Sequence, residues 1–137
     1  MARVHIPAVI RHAVITRANH CCEYCLLHED DTPETHQVDH VLAIKHGGLS
    51  GRENLAYACA ECNRYKGSDF ATIEPGSGAI VLLYNPRTQH WHDHFALDGP
   101  RLTGLTRTGL MTIRLLQLND ERRILERAML LAAGRYP

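Results

Sequence analysis

Two Cys-x-x-Cys pairs constrain this chain more than any other feature of its sequence. The pairs are Cys22/Cys25 and Cys59/Cys62. Four thiolates close a tetrahedral zinc shell and leave no open position for chemistry, so the pairs predict a structural zinc site. Residues 26–58 make a longer gap than common four-cysteine fingers have, so this segment must fold as an excursion that returns to the metal. Two unrelated redox pairs, or unbound thiols, are the alternatives.

Cysteine usage also indicates the compartment. Four of the five cysteines are paired in sequence, which favours metal thiolates in a reducing environment over disulfides. Only Cys22 has the two-residue gap to Cys25, so Cys21 is interpreted as a small buried residue. The stretch Met1–Pro7 lacks the hydrophobic run of a secretory signal, and no apolar run approaches membrane-spanning length. We therefore expect a cytoplasmic protein with no membrane partner.

With 137 residues, the chain is expected to form a single domain, 1–137, with a modest core that benefits from a metal staple. Local patterns predict helices and short strands, and hence an α+β fold. The predicted helices are 7–19, 55–65 with Asn54 as N-cap, 106–118 with Thr106 as cap, and a last helix closed at Gly134 with Ile124, Leu125, Ala128, Leu131 and Ala132 inward. The predicted strands are 36–44, as one strand or a pair of short strands, a buried strand 79–84, 89–97 and 101–105. The glycine-rich residues 71–78 are predicted to be a turn region.

Charge gives no simple indication of a nucleic-acid partner. The formal net charge is zero, whereas a phosphate backbone is usually met by a basic surface. The distribution is uneven, because residues 1–20 contain Arg3, Arg11 and Arg17 without an acid, and residues 21–40 contain acids without lysine or arginine. An acidic loop can thus cancel positive charge on another face, which is compatible with nucleic-acid binding without arguing for it.

The excursion between the cysteine pairs contains the dipeptide Asp39-His40. On an extended segment neighbouring side chains point to opposite faces, so the carboxylate can hold a metal while the imidazole acts elsewhere on the same phosphate. Hydrolysis of a phosphodiester needs an activated water and an ion that takes up charge, and a neutral imidazole is a suitable base near neutral pH. The dipeptide alone is most often plain polar surface, and its position between the cysteine pairs is what favours chemistry.

The ordered motifs across residues 20–67 resemble the HNH endonuclease family. They are Asp39-His40, His46-Gly47-Gly48, Asn54-Leu55, and Cys59-x-x-Cys62-Asn63-x-x-Lys66-Gly67. The resemblance implies a ββα-metal (His-Me finger) core with a four-cysteine zinc, preceded by an N-terminal helix. The β-strand and two-helix extension, residues 79–134, resembles small bacterial HNH proteins through Arg87, Trp91 to Phe95, and Thr106 to Asn119. This part of the resemblance is less diagnostic.

Site roles follow from the resemblance. It implies that His40 is the general base, that Asp39 is a carboxylate ligand of the catalytic metal, and that Asn54 bonds to backbone and holds the loop that carries the base. Asn63 stands where the family usually has a histidine ligand, so the chain resembles an H-N-N variant. Because an amide oxygen suits hard ions, Mg²⁺ or Mn²⁺ is expected to support cleavage better than Ni²⁺ or Zn²⁺.

Several basic residues remain open to two interpretations. Arg64 and Lys66 follow the last ligand and either contact flanking phosphates or form a solvated helix end. The arginines of the last two helices, Arg114, Arg122, Arg123 and Arg127, either lie along DNA or form the solvated side of packed helices. His90, His92 and His94 alternate on the predicted strand 89–97, where a polar face is favoured over a second metal site.

These features favour a metal-dependent endonuclease that hydrolyses DNA, with RNA not excluded and the oligomeric state open. A second hypothesis is a zinc-stabilised nucleic-acid-binding module with weak or no catalysis, because Asn63 replaces histidine and the net charge is zero. A redox protein is the third, and the long gap between the cysteine pairs and the presence of Asp39-His40 disfavour it.

Overall fold

The computed structural model describes residues 4–137. The first three residues of the stretch Met1–Pro7, which include Arg3, lie outside the described residues. The helices are α1 Ala8–Arg17, α2 Ala60–Lys66, α3 Trp91–His94, α4 Arg107–Leu115 and α5 Glu121–Ala132. The strands are β1 Gln37–His40, β2 Leu55–Ala58, β3 Ala71–Ile73, β4 Ile80–Leu82, β5 Phe95–Asp98 and β6 Arg101–Gly104. The strands form three antiparallel pairs, β1–β2, β3–β4 and β5–β6. This mixture of helices and small strand pairs confirms the predicted α+β class.

The hairpin β1–β2 lies between two packed layers. Leu55 and Tyr57 pack on the α1 side, in a small core that includes Val14. Ala56 and Ala58 point the other way, into the larger core that contains the paired cysteines. All four β2 residues are buried because the strand is covered on both faces.

The prediction of a helix over 55–65 is wrong at its start. Residues 55–58 form β2, and α2 begins only at Ala60 with Cys59 as its N-cap. Asn54 is therefore not a helix cap. The alanines and leucine of this stretch favour a helix locally, but pairing with β1 and burial on both faces outweigh that propensity.

The second hairpin is less buried than predicted. Part of the predicted turn region 71–78 forms β3, which pairs with β4. Only Val81 of β4 is buried, while Ile80 and Leu82 are 75% and 62% exposed. The alternation of an isolated two-stranded hairpin explains this pattern, because one of its faces has nothing packed on it. Leu83, beyond the strand, returns to the interior.

The predicted strand 89–97 is wrong in its first half, because residues 91–94 form the helical turn α3. The turn places Trp91 and Phe95 four residues apart on one face, with both rings buried and their centroids 5.1 Å apart. A strand would have placed Asp93 on that same buried face, at a high desolvation cost. The histidines at 90, 92 and 94 therefore do not share a strand face.

The C-terminal helices follow the predicted order with one error of orientation. Thr106 caps α4, accepting a hydrogen bond from the Gly109 backbone N–H at 3.0 Å. In α5 the buried residues are Arg123 and Arg127, and Leu125 is 62% exposed, so the predicted apolar inward face is wrong.

Hydrogen bonds from two buried arginines explain the orientation of α5. Arg123 donates to the backbone carbonyl of Leu116 at 2.9 Å, and Arg127 donates to that of Leu118 at 2.6 Å. Both carbonyls lie just beyond the last residues of α4, where no further helical turn supplies a donor. The buried arginines satisfy these groups, so neither of them lies on a DNA-facing or solvated surface.

The larger core joins the segment that carries the cysteines to the C-terminal extension. It contains the four paired cysteines together with extension residues such as Trp91, Phe95 and Leu116. Within residues 4–137 no helix is both long enough and apolar enough to span a bilayer.

Candidate functional site

The four paired cysteines meet at one point. Cys59 is the N-cap of α2 and Cys62 lies in its first turn, whereas Cys22 and Cys25 flank the turn that follows α1. All four side chains are buried, and their sulfur atoms lie within 4.8 Å of one another. Among the described residues this is the one group of three or more histidine, cysteine or acidic side chains close enough to hold a metal ion. Cys21 is half-buried and stands outside the group.

The two Cys-x-x-Cys pairs contain the same internal hydrogen bond. The backbone N–H of Cys25 donates to Cys22 Sγ at 3.4 Å, and that of Cys62 donates to Cys59 Sγ at 3.4 Å. An N–H donor stabilises negative charge on the sulfur that accepts it. The two-residue gap thus turns each pair into a preformed half of a thiolate site.

The chemistry of this group suits a bound cation. Burial raises the pKa of Cys22 and Cys62, while hydrogen bonds from the other cysteines lower the pKa of Cys25. Four sulfurs at this separation cannot all ionise unless a positive ion offsets their repulsion. Four closely spaced sulfur donors suit a tetrahedral, thiophilic ion. The residues therefore fit a metal such as zinc.

Asp39 and His40 are the last residues of β1. They stand opposite Ala56 and Leu55 of β2, so their side chains leave the hairpin on opposite faces. The Asp39 side chain is 16% exposed and faces α2. Burial raises its pKa, and the positive charge of Lys66 offsets part of that rise.

The imidazole of His40 is held by a residue that the sequence pattern does not reveal. His40 Nε2 lies 2.8 Å from Ser50 Oγ, ten residues further along the chain. Within the described part of the chain, His40 Nδ1 has no hydrogen-bond partner. A serine in a loop carries no signal of such a contact, because only the folded path of residues 41–53 brings it to the ring.

Asn54 fastens that same loop. Its Oδ1 accepts from the Leu42 N–H at 2.9 Å, and its Nδ2 donates to the carbonyls of Leu42 at 2.9 Å and Leu49 at 2.7 Å. Gly48 is part of the closure, because a Cβ there would lie 1.8 Å from the Leu42 oxygen. One amide side chain and one glycine thus fix the loop that carries Ser50.

Lys66 is buried and does not occupy the exposed position that a phosphate contact would need. Its side chain is 3% exposed, and its Nζ lies 3.0 Å from Asp39 Oδ2 and 3.0 Å from the His40 carbonyl oxygen, to which it donates. A buried ammonium cannot also form a solvated helix end, so both interpretations made from the sequence are wrong for this residue. Lys66 instead ties the last turn of α2 to the end of β1.

Asn63 precedes Lys66 by three residues, so the two residues occupy neighbouring positions along α2. Asn63 is half-buried, and Arg64, on the adjacent face, is 58% exposed with a long 3.5 Å ion pair to Glu34. Asp39 Oδ2 is buried and receives no aligned hydrogen bond, which leaves it lone pairs for a further partner. A carboxylate and an amide oxygen are both hard donors, of the type that suits a small divalent ion such as Mg²⁺.

The histidines of α3 form no comparable group. His94 Nδ1 bonds to Thr106 Oγ1 at 2.6 Å, and His92 lies edge-on to Trp91. His90 and His92 are exposed. Their places are those of surface and helix-capping residues.

A ββα unit flanked by four cysteines that could hold a metal ion is consistent with the ββα-metal fold. The family model described as HNH endonuclease matches residues 22–69, which confirms the resemblance drawn from the motifs and includes all four metal-site cysteines. Nuclease activity on nucleic acids is the general property of that family. Separate comparisons with the curated proteins and with the solved structures gave no match.

Proposed function

We propose that this protein is a metal-dependent endonuclease that hydrolyses phosphodiester bonds of DNA at the open end of β1. One observation carries the proposal: the HNH match covers a hairpin that ends in Asp39-His40, with α2 fastened to that end by Lys66. In this proposal α2 presents Asn63 towards the end of the strand. The four cysteines, with zinc proposed as their ion, serve the fold and take no part in the reaction.

In this proposal His40 is the general base. If Nε2–H donates to Ser50 Oγ, the ring takes the tautomer whose Nδ1 carries a free lone pair, and Nδ1 is the nitrogen without another partner. That nitrogen takes the proton from the attacking water. The Asn54 bonds to Leu42 and Leu49 keep Ser50, and hence the ring, in one orientation.

Asp39 and Asn63 would hold the catalytic ion, proposed to be Mg²⁺ or Mn²⁺. When bound, such an ion supplies charge stabilisation at the phosphate and at the leaving oxygen. Lys66 has a positioning role, because it fixes the Asp39 carboxylate and the main chain at His40 together. Arg64, which is exposed on the neighbouring face of α2, remains the proposed contact to a flanking phosphate.

The second candidate is a nucleic-acid-binding module with weak or no cleavage. Lys66 favours it, because a fixed ammonium 3.0 Å from Asp39 already neutralises the carboxylate that a metal would need.

Metal-dependent plasmid nicking tests the proposal. Supercoiled DNA is incubated with protein and Mg²⁺, Mn²⁺, Ni²⁺ or added Zn²⁺, and RNA of matched length is tested in parallel. We expect Mg²⁺ and Mn²⁺ to give the fastest nicking, and a chelator to stop it while protein-bound zinc, assayed on the same sample, is retained. Binding of DNA without nicking in any metal would favour the second candidate, and faster nicking with Ni²⁺ would refute the oxygen ligands Asp39 and Asn63.

A further inference from the structure

Two arginines of α5, Arg123 and Arg127, are 4% and 3% exposed. Arginine is almost never so deeply buried unless its charge is compensated. The two residues lie one helical turn apart and both donate to main-chain carbonyls. Their remaining contacts differ, and that difference is informative.

Arg123 reaches the sulfur atoms of the metal site. Its Nη2 lies 3.2 Å from Cys62 Sγ and 3.7 Å from Cys59 Sγ, within hydrogen-bond range for sulfur. Its Nη1 is held by the Leu116 carbonyl at 2.9 Å, which fixes the plane of the guanidinium. Arg127 contacts no sulfur; it donates to backbone carbonyls and to the Asn119 side chain.

We propose that Arg123 is the built-in counter-ion of the cysteine metal centre and belongs functionally to that site. Four thiolates around a divalent ion carry a surplus of negative charge, and the centre is buried where water cannot screen it. A guanidinium is permanently charged and weakly hydrated, so it offsets this surplus at a lower desolvation cost than an ammonium. Its N–H groups also withdraw electron density from the sulfurs that accept them.

Besides Arg123, two other residues of the C-terminal part of the chain donate hydrogen bonds next to the metal-site cysteines. Tyr136 donates its hydroxyl to the Cys25 carbonyl at 2.7 Å, and the Trp91 indole donates to the Tyr24 carbonyl at 2.9 Å. Both acceptors lie in the first cysteine knuckle, while Arg123 covers the second pair. All three donors lie outside residues 22–69, so these hydrogen bonds join the C-terminal part of the chain to the cysteine site.

Metal affinity and cobalt spectra of full-length variants test the inference independently of any nuclease activity. The variants are Arg123→Met, Arg123→Lys and, as the matched buried control, Arg127→Met. Zinc affinity is measured by competition with a chromophoric chelator, and the thiolate-to-metal charge-transfer band is recorded after substitution with Co²⁺. Loss of an outer partner of a metal ligand typically costs about 10–100-fold in affinity, so we expect a loss of that size for Arg123→Met.

Arg123→Lys keeps the positive charge but lacks the planar guanidinium with its several N–H donors. Its zinc affinity should therefore fall between those of wild type and Arg123→Met. The cobalt band should move to lower energy in Arg123→Met, because sulfurs that lose N–H donors release charge more readily, and it should stay in place in Arg127→Met. Equal losses of affinity in the two methionine variants with unshifted bands would reduce Arg123 to a folding residue and overturn the inference. If Arg123→Met does not fold, a lysine variant with wild-type affinity and band would overturn it equally.

Discussion

Lys66→Met is the substitution whose effect can be worked out most directly from the structure. The side chains of Lys66 and Asp39 are 3% and 16% exposed and meet at 3.0 Å. Breaking a buried pair by removing one partner costs about 3–5 kcal/mol, because the other charge stays buried and uncompensated. Since Asp39 keeps some access to water, we expect the lower end, about 3 kcal/mol.

Thermal and urea unfolding of the metal-loaded protein, followed by circular dichroism, measures this loss. About 3 kcal/mol is a large part of a typical domain's stability and corresponds to a fall in Tm of roughly 10 °C for a chain of this size. Arg64→Met is the matched control on the same helix. Arg64 is 58% exposed and its ion pair with Glu34 is 3.5 Å long, so its loss should cost less than about 1 kcal/mol.

A double variant tests the coupling between Lys66 and Asp39. Adding Asp39→Asn to Lys66→Met removes the stranded carboxylate, so the double variant should be more stable than the sum of the two single losses by about 1–3 kcal/mol. Additive losses, or equal effects of Lys66→Met and Arg64→Met, would refute the assignment of Lys66 to the buried contact. Wild-type stability of Lys66→Met would refute it as well.

Three further substitutions test other parts of the fold. Cys59→Ser should lose the bound metal, measured by atomic absorption, and with it most of the thermal stability; unchanged metal content and melting would contradict the four-sulfur site. Gly48→Ala should cost about 1–3 kcal/mol in chemical unfolding, because the new Cβ meets the Leu42 oxygen. The Tyr57 hydroxyl donates to Glu29 at 2.6 Å and lowers the pKa of that carboxyl, so its stabilisation is present above the ordinary pKa of the group and is lost as pH falls through the lowered value. Tyr57→Phe should therefore lose about 1 kcal/mol at neutral pH and show a smaller drop in Tm on acidification; an unchanged pH profile would contradict this role.

The parts of the site that depend on local spacing were predictable from the sequence. A Cys-x-x-Cys pair carries its own N–H···S geometry, so the convergence of Cys22, Cys25, Cys59 and Cys62 needed only that the chain return to its starting point. The Thr106 cap is likewise decided by residues within one helical turn of it.

The parts that depend on tertiary contacts were not predictable. The β2 sequence prefers a helix locally and becomes a strand because β1 pairs with it and two layers bury it. Periodicity also assigned apolar residues to the inner face of α5, whereas Arg123 and Arg127 turn inward to reach carbonyls and sulfurs that no local pattern reveals. Ser50 belongs to the same group, since only the folded loop brings it to His40.

Plasmid nicking by His40→Ala tests the central proposal most directly. His12→Ala is the matched control, because His12 is an exposed histidine on α1. With metal content and folding verified for each protein, the proposal predicts Mg²⁺-dependent nicking by wild type and His12→Ala, and a loss of at least about 100-fold in His40→Ala, the usual contribution of a general base. Nicking by His40→Ala at the wild-type rate would contradict the assignment of His40 as the base and, with it, the proposed active site at the end of β1.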